Sequence, residues 1–354
     1  MLNPEYVEYP SGCFDCRRDR YWEFKGEFGT TEDYKFGYYD TDSQIWDSIA
    51  YNAPYYLIVK AAGNNRNVNG PEVGEKYFRF GATGSIIDAG NRPEGISDND
   101  SYDIMPTYGV AKNILTVGAV FPIPAGYSQP SDVVLTSFTS WGPTDDGRIK
   151  PDIVTDGVNL YSPFSSGNNA YAYLSGTSMA TPVASGSIFL LQEYYSKLHA
   201  GAFMRAASLK GLVIHTADEA GTDPGPDYKH GWGLLNMERA ASVLTSNNTD
   251  QLLREEVLSN GQTFTLPVIA SGKGPLVATI SWTDPKGPVN TTNRLNNTDR
   301  KLINDLDIRV SSGATTYQPY ILNPLNRAAP ASQGDNNLDN VEKIVIPGAL
   351  PGQA

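Results

Sequence analysis

The 354-residue chain is short of cysteine, histidine and positive charge, and each shortage narrows what it can be. Its two cysteines, Cys13 and Cys16, stand together in "CFDC". A closed zinc site takes about four ligands, and no second pair is present, so a local disulfide or two plain thiols suit them better than a metal. Lys and Arg number 27 against 39 Asp and Glu, a formal net charge of −12. That excess serves solubility and argues against nucleic acid or an anionic membrane as the main partner. No apolar run approaches the ~18 residues of a membrane span, and "MLNPEYVEYPSG" lacks the basic and apolar regions of a signal peptide. The three histidines, His199, His215 and His230, all fall in the second half. What the chain has in quantity is Gly (34), Pro (24) and Tyr (21), a turn-rich and aromatic composition in keeping with secreted proteins.

The length exceeds that of a usual single domain and implies two, or one large domain with an appendage. Residues 40–53, "DTDSQIWDSIAYNA", open on an N-cap pattern and bring Ile45, Trp46, Ile49 and Ala50 onto one face, which predicts an amphipathic helix. "YYLIVKAAGNN" follows as a near-continuous apolar run, the pattern of a strand covered on both faces. "NILTVGAV" (113–120) and "DIVTDGVNLYSP" (152–163) repeat it, and helical periods return at 178–198 and 205–215. Buried strands alternating with helices predict an α/β domain with a largely parallel sheet over residues 1–250. After residue 250 the runs "GQTFTLPVIA", "GPLVATISWTD", "LINDLDIRV" and "VEKIVIPG" are short, β-type and broken by Gly, Pro, Asn and Asp. Residues 251–354 therefore read as an all-β sandwich or jelly roll, incomplete because the chain stops in a turn.

The residues with chemical promise centre on Ser178, in "YLSGTSMATPVASG" (173–186). A Ser at a helix start lies among free backbone N–H groups at the positive end of the dipole, where an oxyanion beside its Oγ is stabilised. A Ser that merely caps a packed helix has the same local sequence. The longer string resembles the serine signature of subtilisin-like serine proteases (subtilases). "AAGNN" (61–65) resembles the strand end carrying that family's oxyanion-hole asparagine, here Asn64. "FTSWGPTDDGRIKPDI" (138–153) and "GPDYKHGWGLLNMERA" (225–240) resemble two further family segments in the right order. "ISWTD", "NDLD" and "DNVEKIVI" resemble the β-sandwich appended to one group of large secreted subtilases.

The resemblance implies a three-layer subtilisin-like fold and a secreted serine endopeptidase acting on proteins or peptides. Ser178 is then the nucleophile and Asn64 the oxyanion donor, with Ala61, Ala62, Gly63, Gly176 and Thr177 lining the substrate site. It also implies calcium, for which Asp305 and Asp307 of "NDLD" are the candidate ligands, with Asp335 and Asp339 near in sequence. A serine needs a base, usually His held by a carboxylate, and in this family both precede the oxyanion Asn. Here every His follows Ser178, and His199 is expected at the surface and the other two in structural roles. Glu32, Asp33 and Asp40 are no substitutes, a carboxylate being a poor base for a serine hydroxyl. Two readings stay open. One is a protease chain truncated at its N-terminus and C-terminus, inactive alone; the other is a non-catalytic protease-like scaffold that binds protein or glycan.

Overall fold

A computed structural model describes residues 34–67, 73–80, 86–93, 102–291 and 294–348. Cys13, Cys16, Glu32 and Asp33 lie outside the described residues. Asp40 caps the first helix, α1 (Thr41–Asn52), accepting from Ser43 N at 3.0 Å. Of its predicted apolar face only Ala50 is buried, with Trp46 half-buried. Ser43, Asp47 and Ala50 face inward, while Ile45 (47% exposed) and Ile49 (46%) face out. Specific polar partners decide the orientation: Asp47 accepts from Tyr39 Oη at 2.7 Å and from Asn113 N at 2.8 Å, and Ser43 Oγ donates to the Thr107 carbonyl. These buried acceptors would be costly to orphan.

Strands β1 (Val59–Ala61), β4 (Leu115–Val120) and β5 (Ile153–Asp156) form a parallel sheet in the order β1-β4-β5. Strand β4 is buried along its whole length, as its apolar run predicts, whereas β1 is shorter than predicted and half-buried. Between them, β2 (Lys76–Phe80) and β3 (Ile86–Asn91) pair antiparallel. After β5 comes a hairpin of β6 (Leu160–Pro163) and β7 (Tyr171–Leu174), then the helix α2 (Thr177–Leu198). On α2 the buried residues Thr177, Ala180, Ala184, Ile188 and Leu191 repeat at helical spacing against Leu115, Val117, Ala119 and Ile153 of the sheet. Helix α3 (Ala206–Thr216) and the short α4 (Met237–Thr245), capped by Asn236, complete this layer.

The sheet's entry rests on buried charge. Asp152 Oδ2 accepts from Thr116 N (2.6 Å) and Lys150 Nζ (2.5 Å), and Oδ1 meets Lys210 Nζ of α3 at 3.1 Å. Burial pushes the Asp152 carboxyl up, but the two ammonium groups hold it below its usual range; burial also pulls Lys150 down to about 7 against the pull of Asp152. Such groups stay ionised inside a protein only when paired and hydrogen-bonded.

Beyond residue 250 the ladders are all antiparallel and two-stranded. They pair β8 (Leu276–Ser281) with β13 (Val341–Ile346), β9 (Val310–Ser312) with β10 (Thr315–Tyr317), and β11 (Tyr320–Ile321) with β12 (Ser332–Gln333). The run "GQTFTLPVIA" joins no ladder, and of "LINDLDIRV" only Val310 does. This segment packs hard on the α/β part. Lys112 Nζ, fully buried, bonds to Asp284, to the Pro285 carbonyl (2.6 Å) and to the Lys301 carbonyl (2.7 Å). Asn113 and Asp284 exchange two further bonds, Asp339 accepts from Ile149 N at 2.9 Å, and Val341 joins the main core.

Two measurements check this packing. Asp284→Ala leaves the Lys112 ammonium buried without its counter-charge, and we expect a loss of about 3–5 kcal/mol in urea unfolding. Burial, and then the charges of Lys343 and Arg239, lower His215 to about 4, and its Nδ1 lies 3.0 Å from Thr279 Oγ1. A folded-state pKa below the unfolded ~6.5 means the unfolded chain binds the extra proton, so this contribution is lost as pH falls from about 6.5 to about 4. His215→Gln should flatten the dependence of Tm on pH in that window.

Candidate active site

The site forms where the C-terminal end of β1 meets the start of α2. Gly157, just past β5, lets the helix ride directly on the sheet: a Cβ there would meet Ala119 Cβ at 2.7 Å and the Gly176 carbonyl at 2.9 Å. Gly157 O accepts from Gly176 N at 2.8 Å, and Gly176 takes φ +154°, a conformation L side chains rarely adopt. The chain thus turns sharply into α2 and leaves Ser178 exposed in the first helical turn. Pro182 lies one turn further in and cannot donate to the Ser178 carbonyl.

The loop after β1 brings Asn64 to the same place. Its Oδ1 accepts from Thr177 N and from Thr177 Oγ1, both at 2.9 Å, and Thr177 Oγ1 accepts in turn from Gly63 N at 3.2 Å. With the oxygen committed to two donors, the amide orientation is settled by the network. The NH₂ group turns the other way, and Nδ2 lies 3.4 Å from where a Gly176 Cβ would stand. No hydrogen bond from Nδ2 or from the Ser178 backbone N–H falls within the described residues, so both donors are open beside the exposed hydroxyl. Ser140 braces the loop, its N–H donating to the Gly63 carbonyl at 2.9 Å and its Oγ accepting from Asn65 N at 3.3 Å.

Of the residues expected to line a substrate groove, Ala61 and Gly63 are half-buried and can do so. Ala62 (0% exposed), Thr177 (1%) and Gly176 are buried and support the loops around Ser178 and Asn64 from beneath. Sequence reading misses the clamp that Thr177 makes on Asn64, because the two are 113 residues apart and Thr is common at a helix start.

The histidines are engaged elsewhere. His199 caps the far end of α2, about 30 Å from Ser178 at 1.5 Å per residue, and stacks on Tyr195 at 3.9 Å between centroids. His215 bonds to Thr279, and the buried His230 pairs with Asp227 at 3.0 Å. Asp40 is spent on its helix cap. Asp305 and Asp307 lie outside the strands, ion-paired with Arg300 (2.8 Å) and Arg309 (3.0 Å). Among the described residues no group of three or more His, Cys, Asp or Glu side chains could hold a metal ion, and no chemistry is routed through one.

Thr177→Val keeps the shape but deprives Gly63 N of its acceptor and Asn64 Oδ1 of a donor. A loss of about 1–3 kcal/mol in urea unfolding is expected, largely restored by Thr177→Ser.

The sequence model of the subtilase family matches residues 28–233. A serine protease/ABC transporter B family protein of Dictyostelium discoideum, tagB, is 28% identical over 418 residues, covering 88% of this chain and 21% of that protein. Pyrolysin of Pyrococcus furiosus is 30% identical over 224 residues, 57% of this chain and 15% of its own length. Among solved structures, the self-cleaved protease domain of PatA matches with a TM-score of 0.40 at 21% identity, over 60% of this chain and 59% of that one. The chain spans about a fifth of the length of the Dictyostelium relatives. With a match over more than half its residues, on a parallel sheet and helix that carry the serine signature, the chain belongs to the subtilase family.

Proposed function

We propose that this chain is the nucleophile-bearing part of a secreted serine endopeptidase that hydrolyses peptide bonds in protein substrates. Ser178 Oγ attacks the scissile carbonyl carbon and gives its proton to a base; the C–N bond breaks, the amine leaves protonated, and water then releases the acyl group from Ser178. Asn64 Nδ2 and the Ser178 backbone N–H receive the oxyanion. The observation that carries this reading is the commitment of Asn64 Oδ1 to Thr177, which leaves the amide NH₂ open beside the serine. His199, His215 and His230 all have other partners. We assign the base and its carboxylate to residues of the full-length protein outside these 354. We also divide the chain near residue 250, into a partial subtilase domain (1–250) and an all-β domain (251–354).

In the full-length protein, Ser178→Ala should abolish proteolysis and labelling by a serine-reactive phosphonate. Asn64→Ala should lower kcat about 10²–10³-fold with little change in KM. Undiminished cleavage by the Ser178→Ala protein would refute the assignment.

A non-catalytic binding role is favoured by a different feature, the stacked and exposed tyrosines of the β6–β7 hairpin. Tyr161 lies 5.2 Å from Tyr171 and 4.8 Å from Tyr173 between centroids, and each ring suits an apolar peptide group or a sugar. Absence of phosphonate labelling in the full-length protein would decide for that role. Calcium rests on the family resemblance alone: a fall in Tm on chelation, reversed by added calcium, would support it, and an unchanged Tm would remove it.

A further inference from the structure

Well after Ser178 in sequence, the stretch that leads from the α/β part to β8 differs from the rest of the chain. Every residue from Arg254 to Ile269 is exposed, and the apolar ones are no exception, with Val257 87% and Ile269 75% exposed. Its backbone belongs to no helix or ladder. Among the described residues its backbone N–H groups make two hydrogen bonds, from Gln262 N to the Ser259 carbonyl and from Ser259 N to Gln262 Oε1, both at 2.9 Å and both within one turn. A segment with so few bonds and so little burial lies at the low end of local stability, and an unbonded backbone is what an endopeptidase needs to grip.

Both ends of the stretch are fixed. Glu255 Oε1 accepts from Arg205 N at 3.0 Å and from Ser208 Oγ at 2.5 Å, capping α3 from outside the helix. At the other end Ala270 is buried, and β8 lies directly on α3, where a Cβ on Gly211 would come 2.8 Å from Ser281 Cβ. The part from Ala270 onward is held by much besides its peptide link. Lys112 meets Asp284, Asn340 Nδ2 donates to Asn113 Oδ1 at 3.1 Å, Tyr38 Oη donates to the Asn290 carbonyl at 2.8 Å, and Lys343 Nζ donates to the Ile214 carbonyl at 2.9 Å. Val341 and Ile344 add buried apolar area. Beside these contacts a flexible linker adds only an effective concentration on the order of 1 mM.

We propose that residues 254–269 are a processing site for endopeptidases, and that cleavage there converts the chain into two pieces that stay joined without a covalent bond. Hydrolysis consumes one water: a backbone C–N bond breaks, the carbonyl side becomes a carboxylate and the amine side a new ammonium terminus. The exposed side chains of Val257, Leu258, Phe264 and Leu266 suit a protease that selects apolar residues. A cut after Glu256 leaves the cap of α3 on the N-terminal piece. The chain's two cysteines, Cys13 and Cys16, lie on that piece as well, so no disulfide ties the pieces together. The cleavage needs no contribution from Ser178.

The test is limited digestion of the 354-residue chain by thermolysin, which cuts before apolar residues, with fragments identified by mass and N-terminal sequence and run on size exclusion at micromolar concentration. Expected are new N-termini at Val257, Leu258, Phe264 or Leu266, formed about a hundredfold or more faster than cuts within β4 or α2, whose opening costs more. The two pieces should co-elute and separate only in urea. A variant carrying Val257→Ser, Leu258→Ser, Phe264→Ser and Leu266→Ser should resist cutting at those positions and keep the parent's Tm, because exposed side chains support no core. A segment that outlasts β4 and α2, or pieces that separate in native buffer, overturns the proposal. So does a fall of several degrees in the variant's Tm, since those side chains are then covered.

Discussion

The Asp152 carboxylate, sealed between Lys150 and Lys210, is the constraint on which the α/β part depends. It receives the Thr116 N–H at the start of β4, follows β5's approach from Lys150, and binds an ammonium from α3. Three elements distant in sequence are therefore held at one point by charge, and removing any partner would strand the others in a medium that solvates them poorly. Lys210 Nζ adds bonds to the Lys112 and Ile114 carbonyls, so the chain enters β4 at a set height. The register of the parallel sheet follows, with Val117 opposite both Ala61 of β1 and Ile153 of β5.

From that register the site geometry descends in short steps. Strand β1 ends at Ala61, and the three residues after it carry Asn64 to the sheet's C-terminal edge, where ligands bind in parallel α/β sheets. Gly157 and Ala180 allow α2 to begin at the same edge. The hydrogen bonds between Thr177 and Asn64 then join the two loops. A side-chain amide pinned by its oxygen holds its NH₂ in one orientation beside the start of α2.

The segment after residue 250 is bound to this frame by buried polar contacts as well as apolar area. Lys112 and Asn113, at the threshold of β4, meet Asp284, Lys301 and Asn340, so the same short stretch that sets the sheet also anchors the β-rich end. That sharing explains why Asp284 is wholly buried in a stretch whose sequence looks like an ordinary turn.

The sequence by itself determined the parallel sheet, the helix at Ser178 and the family, because long apolar runs, helical periodicity and the string around Ser178 are local signals. The loop after β1 that carries Asn64 was legible as a Gly-Asn pair following an apolar run, but where its side chain points was not. Only the tertiary structure decided which face of α1 is buried, since Asp47 and Ser43 turn inward for partners at Tyr39, Asn113 and Thr107 that no local pattern announces. The Thr177 clamp and the pairing of Lys112 with Asp284 were likewise hidden. Each joins residues remote in the chain, and directional bonds between buried polar groups depend on where the whole backbone brings them.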